Sequence, residues 1–188
     1  MKHYSFIIAL LFCSFFVNAQ TWNIDKGHSS VSFEITHMML SDVSGKFKTY
    51  DATFTSAKED FSDAVFQFSA DIASVDTDNE TRDGHLQGEK FFDAANYPKL
   101  TFKSTSFKHL TGKKYTMTGD LTMKGKTAPV TLAVTINGPV THPRNKKIMI
   151  GLKAIGEVDR TVYGVSDMPV SGLSHEVQIV ASGEFTKE

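Results

Sequence analysis

The 188-residue chain carries 20 Lys and Arg against 21 Asp and Glu, a formal net charge of −1. A balance this even excludes the basic footprint of a nucleic-acid-binding domain. A single cysteine excludes a disulfide framework, and no apolar stretch after residue 19 is long enough to cross a bilayer as a helix.

Residues 1–19 read as a secretory signal. Lys2 is followed by an uncharged apolar run from Phe6 to Val17, and then by Val17-Asn18-Ala19 and Gln20. The small residue at Ala19 and the short one at Val17 fit a signal peptidase, so the cut is expected after Ala19. The run is shorter than the ~20 residues a transmembrane anchor needs. Phe12 stands before Cys13, where a lipoprotein would need a small residue. Cleavage would remove Cys13, leaving residues 20–188 as one exported domain without a thiol.

That domain reads as all-β in the main. Val31, Phe33 and Ile35 alternate with polar residues, as do Phe66, Phe68 and Ala70. The same period of two runs through Tyr115, Met117, Leu121 and Met123, and through Val130, Leu132, Val134 and Ile136. It returns in Ile148, Ile150, Leu152 and Ala154, and in Val177, Ile179 and Ala181. One apolar parity per run means antiparallel strands with one face buried. Thr111-Gly112-Lys113-Lys114 and Met123-Lys124-Gly125-Lys126 read as hairpin tips. Asn137-Gly138-Pro139 reads as a strand end, with a loop at His142-Pro143-Arg144-Asn145. About eight strands at this spacing favour a sandwich or barrel. Residues 76–98 break the alternation. Cap-like chemistry at Asp78-Asn79-Glu80-Thr81 predicts a short helical crossover that carries Leu86 and Phe91 on one face and stops at Tyr97-Pro98.

Catalytic and metal signatures are weak. His28, His37, His85, His109, His142 and His175 show no pair at metal-ligand spacing, so no metal site is expected. His109 and His142 read as loop residues. His37 keeps the parity of Val31, Phe33 and Ile35, which makes it either a hydrogen-bonded core histidine or a contact for a bound head group. Arg82-Asp83-Gly84-His85 is the densest polar cluster. It could do acid–base work in a secreted enzyme, although a structural role at a helix start suits it better. Of 15 phenylalanines, four lie in the signal and most of the rest fall in the first half of the domain. They suit either an ordinary core or a tubular apolar cavity, since an eight-stranded barrel is just wide enough for one small ligand. Strand parity points Phe33, Ile35, Phe68, Phe102, Met117, Leu121, Leu132 and Val134 into such a cavity, with Leu86 and Phe91 closing it and His37 at its polar end.

An ordered set of short motifs spans nearly the whole domain: Trp22-Asn-Ile-Asp25 with His28-Ser29; Val43-Ser-Gly45-Lys-Phe47; Arg82-Asp83-Gly-His85-Leu86 with Phe91-Phe92-Asp93; Gly119-Asp120-Leu121-Thr122; and Asp159-Arg160 with Tyr163-Gly164-Val165. In this the chain resembles the YceI-like family of bacterial polyisoprenoid-binding periplasmic proteins. Thr161-Val162-Tyr163 departs from the family's usual residues before the glycine. The resemblance implies an antiparallel eight-stranded lipocalin-like barrel in the periplasm, with no catalysis and no cofactor. It also implies an apolar channel for a polyisoprenoid, an isoprenoid quinone or a fatty-acid-like lipid. A homodimer is the default expectation for a small exported β-domain. A secreted enzyme and a ligand-free structural domain are the alternatives.

Overall fold

Inward-facing apolar parity needs a closed surface to face, and the strands supply one by pairing end to end. A computed structural model describes residues 19–188; the expected signal, but for Ala19, lies outside the described residues. Strand β1 is Gln20–His37, β2 Ser41–Phe47, β3 Tyr50–Ser56, β4 Val65–Asp71 and β5 Val75–Asp76. Helix α1 is Glu80–Gln87, followed by β6 Lys99–Thr111, β7 Lys114–Met123, β8 Lys126–Thr141, β9 Ile148–Asp159 and β10 Glu176–Lys187. The sheet runs β10-β9-β8-β7-β6-β4-β3-β1 and closes through β1–β10, giving an eight-stranded antiparallel barrel. Closure leaves these eight strands with no free sheet edge along most of their length.

β1 serves two neighbours on one side. Gln20–Asn23 pair with β3, whereas Ser32–His37 pair with β2, whose far edge carries β5. The switch falls at a register shift against β10 between Asp25 and Ser30. Asp25 holds that irregularity. Its Oδ1 accepts the Gly27 N–H at 2.9 Å, its carbonyl accepts the Ser29 hydroxyl at 2.6 Å, and its Oδ2 lies 3.0 Å from His28 Nδ1.

The lower end, where β1 starts and β3 ends, is packed with aromatic rings. The β3–β4 connection folds back so that Phe61 sits edge-on to Trp22 at 6.1 Å and to Phe54 at 5.4 Å. Phe54 meets Phe107 at 5.7 Å, and Phe107 meets Tyr115 at 5.3 Å. The Tyr115 hydroxyl donates to the Asp60 carbonyl, tying the plug to the wall. Burial raises the Tyr115 phenol above its ordinary pKa.

Both expected hairpin tips form. Thr111 pairs with Lys114 around Gly112 at φ +55. Met123 pairs with Lys126 around Lys124 and Gly125, at φ +48 and +72, the left-handed pair of a type I′ turn. Three expectations need correction. Asn137-Gly138-Pro139 does not end a strand; β8 runs on to Thr141 through a bulge, which Gly138 accommodates at φ +98. His109 is not in a loop. It lies on β6, with its ring 4.8 Å from that of Tyr115 and Nε2 2.9 Å from the Gly112 carbonyl. The helix is shorter than expected. Asn79 caps it by accepting the Arg82 N–H at 3.0 Å, but Gly88 ends it, and Phe91 belongs to the turns that follow.

Candidate ligand cavity

Above the aromatic plug the barrel is hollow. A cavity of about 370 Å³ occupies the upper half and opens where β1 ends and α1 crosses. Glycines on the inward parity create much of the room. A Cβ on Gly45 of β2 would overlap the ring of Phe33, its cross-strand partner on β1. A Cβ on Gly119 of β7 would lie 2.5 Å from Phe102 Cζ, and one on Gly156 of β9 2.5 Å from Leu132 Cδ2. Each glycine thus lets a neighbouring large side chain lie against the wall instead of across the lumen. In most small barrels inward side chains fill the interior; here three of them are folded aside.

Ten of the eleven residues read from the sequence as lining a site meet in this wall: Phe33, Ile35 and His37 from β1, Phe68 from β4, Leu86 from α1, Phe91 from the following turn, Phe102 from β6, Met117 and Leu121 from β7, and Leu132 from β8. Val134 does not. It points inward but is 2 % exposed and pairs with Tyr115, so it lies in the packed lower half. Parity fixes the direction of a side chain, not its height in the barrel. The wall also includes Val43 and Phe47 of the β2 flap, Phe92, Val158, Val165 and Ile179, which sequence reasoning did not single out.

Polar groups gather at the mouth. The Arg82 Nε donates to Thr77 Oγ1 at 2.8 Å and its Nη2 to the Thr77 carbonyl at 2.6 Å. Asp83 Oδ1 accepts the Thr77 N–H at 2.9 Å and its hydroxyl at 2.6 Å. Arg82 and Asp83 therefore close on one threonine and clamp the first turn of α1 to β5. They make no hydrogen bond to His85 among the described residues. His85 and His37 border the cavity and are exposed at its rim.

Arg160 is the polar residue that spacing could not reveal. It is 3 % exposed, borders the cavity, and all five of its N–H groups donate to backbone carbonyls. Nε bonds Ser174, Nη1 bonds Val165 and Ser166, and Nη2 bonds Met168 and Leu173, at 2.7–2.9 Å. One guanidinium thereby gathers the β9–β10 connection into the rim. Burial lowers its pKa from the ordinary value, opposed by the charges of Asp159 and Asp167. The same connection holds the divergent Thr161-Val162-Tyr163 segment as a tight turn, with Gly164 at φ +70 and Tyr163 buried beside the Ala128 carbonyl.

One cluster with metal-ligating chemistry lies away from the cavity. Register brings Glu184 of β10 opposite Asp25, so that Asp25, His28 and Glu184 offer ligand atoms within 4.8 Å of one another. The three are at the surface, and Asp25 is already committed to the β1 irregularity. The His28 hydrogen bond lowers the Asp25 pKa, and Asp25 in turn raises that of His28.

Residues 22–185 match the YceI-like domain. Protein YceI of Salmonella newport is 33% identical over 184 residues, which span 97% of this chain and 95% of that protein. The crystal structure of Burkholderia cenocepacia BcnA superposes with a TM-score of 0.77 at 27% identity, covering 86% of this chain and 98% of that one. A polyisoprenoid binding domain from Saccharophagus degradans shares the fold, with a TM-score of 0.64 at 12% identity over 89% of this chain and 98% of its own. A match over this span, together with the closed barrel, places the chain in the YceI-like domain family.

Proposed function

We propose that this protein holds one long-chain lipid, a polyisoprenoid, an isoprenoid quinone or a fatty-acid-like chain, and carries or sequesters it outside the cytoplasm. The tail would lie in the barrel and the head at the rim, beside His37 and His85. One observation carries this reading: a barrel that is packed at one end encloses about 370 Å³ of apolar-walled space at the other. That volume is within the range of ordinary ligand sites, and apolar walls with few polar groups at one end are what an amphiphile needs. Each buried CH₂ contributes up to ~0.8 kcal/mol. Micromolar binding needs about −8 kcal/mol, so roughly ten buried methylenes suffice before ordering costs. The fold shared with a polyisoprenoid binding domain supports the ligand class. The apolar run and small residues of 1–19 support export to the periplasm. No helix among the described residues is long and apolar enough to cross a membrane.

Organic extraction of the purified protein followed by mass spectrometry tests the reading. A stoichiometric long-chain lipid is expected, from a host that makes isoprenoids. Extracts with no such lipid, and no uptake of added farnesol or quinone, would refute it. The intact mass from the same preparation reports whether the chain begins at Gln20.

A further inference from the structure

Three consecutive apolar side chains stand in water beside the cavity mouth. Met38, Met39 and Leu40, at the tip joining β1 to β2, are 53 %, 69 % and 83 % exposed. Met168 and Val170 of the β9–β10 connection are also exposed. The two segments are joined: the Met38 N–H donates to the Gly172 carbonyl at 3.0 Å, and His37 bridges to Leu173. Met168 and Leu173 also belong to the cavity wall. Apolar surface therefore runs from the lumen over the rim and onto this lip.

The turn itself is costly. Met38 and Met39 have φ of +52 and +56, and the Leu40 N–H donates to the His37 carbonyl. Asn-Gly serves such a left-handed pair best, and other residues there store backbone strain. Here the strain holds two long, flexible thioether side chains out in solvent, where they belong to neither the core nor the cavity wall.

We propose that this lip inserts into a lipid bilayer and that ligand passes through it directly between membrane and cavity. The inference rests on the lipid-binding reading of the cavity. A long-chain lipid leaves a bilayer for water at a cost that grows with every methylene, so a mouth seated in the membrane removes the barrier to loading. Two observations favour a bilayer over a second protein. The lip is far smaller than the roughly 20–30 residues per side of a stable protein interface, and it borders the entrance itself, with Met168 and Leu173 in the cavity wall. No Lys or Arg occurs from Thr36 to Gly45 or from Thr161 to His175. Docking is therefore by apolar insertion, and neutral lipid suffices.

The test follows a dansyl-labelled farnesol moving to the protein by two routes: from phosphatidylcholine vesicles, and by dilution from ethanol. Met39→Asn with Leu40→Asp removes the apolar tip while keeping a residue that tolerates the left-handed turn. Leu110→Asp, at the far end of the barrel, controls for added charge. Transfer from vesicles is expected to slow about tenfold or more in the lip variant, the factor that one lost apolar side chain supplies. Uptake from ethanol should be unchanged, and Leu110→Asp should match the parent on both routes. Equal vesicle transfer by parent and lip variant overturns the inference. So does a lip variant that only turns a dimer into a monomer on gel filtration. If no protein takes up the probe by either route, it is the lipid-binding reading that fails, and the lip falls with it.

Discussion

Gly156→Ala is the sharpest test of how the cavity is made. The added Cβ would sit 2.5 Å from Leu132 Cδ2, with the Thr131 carbonyl next at 3.1 Å. The close contact is the far end of a flexible side chain, so Leu132 can yield by turning into the lumen. The fold should barely register this. An off-rotamer leucine costs about 0.5–1.5 kcal/mol, and replacing glycine returns about 0.5–1 kcal/mol through the unfolded chain. The ligand should register it strongly. A leucine side chain swung inward excludes about three or four methylenes, which at ~0.8 kcal/mol each is about 2–3 kcal/mol, a rise in Kd of roughly 30- to 150-fold. Calorimetric titration with a long-chain isoprenoid alcohol, run beside a thermal melt, measures both. Gly119→Ala is the contrast. There the Cβ meets the Lys103 carbonyl oxygen at 2.5 Å as well as the Phe102 ring. Backbone must move, so the change should appear as about 1–3 kcal/mol of lost stability. A Gly156→Ala protein with parental Kd would refute the view that these glycines hollow the barrel for a ligand.

Arg160→Met leaves five carbonyls without their donor; about 3–5 kcal/mol should be lost, or roughly 6–20 °C in Tm for a domain of this size. A loss under about 1 kcal/mol would mean the β9–β10 connection holds itself. Met117→Lys places a charge at a fully buried position and should abolish folding or lipid binding; Thr131→Lys, on the outward parity, should cost only the hydrogen bond to Thr118, about 0.2–1 kcal/mol. Similar behaviour of the two in urea unfolding would overturn the inward assignment of β7. His28 should titrate above its ordinary 6.5 by NMR, falling back toward it in Asp25→Asn. Their bond then supports the fold fully below His28's ordinary pKa, fades as pH rises through its raised one, and fades again as pH falls through the lowered pKa of Asp25; a titration unmoved by Asp25→Asn would break that link. A strong chelator should leave Tm unchanged, because Asp25 and His28 already satisfy each other without an ion; a fall of several degrees would make the Asp25, His28 and Glu184 cluster a metal site.

Strand positions and hairpins were readable because each rests on a local signal. Alternation marks a half-buried strand, and Gly112 and Gly125 mark turns. The helix start was readable from Asn79, but its end was not, because Leu86 and Phe91 suggested a longer face than Gly88 permits. β1 is longer than its alternation shows, since the polar stretch around Gly27 and His28 hides a strand that changes partner. The inward glycines carried a usable signal: Gly119 and Gly156 share the parity of Met117 and Ala154, and a glycine there marks space that something else occupies. Arg160 stands out only as part of the Asp159-Arg160 motif, and nothing local marks its role. Its partners are carbonyls five to fourteen residues away, which any sequence would supply, and only the path of the chain brings them round it. Glu184 likewise joins Asp25 only through the closing β1–β10 register.

The two ends of the barrel divide stability from function. A dry, enclosed apolar void costs about 24 cal/mol per Å³. For about 370 Å³ that is an upper bound of roughly 9 kcal/mol, which water entering at the mouth reduces. Even part of that sum is comparable to the whole stability of an ordinary domain, about 5–15 kcal/mol. The hollow upper half must therefore be supported from elsewhere. Barrel closure supplies backbone pairing that does not depend on what fills the lumen, and the Trp22, Phe54, Phe61, Phe107 and Tyr115 cluster concentrates aromatic packing at the lower end. Arg160 then stiffens the rim through polar bonds, in the region where apolar packing is thinnest. A chain seated in the lumen restores the missing contacts, so binding and folding stability rise together, by RT ln(1 + [L]/Kd). The inward glycines let Phe33, Phe102 and Leu132 lie against the wall, and the room this leaves is what a bound chain would fill.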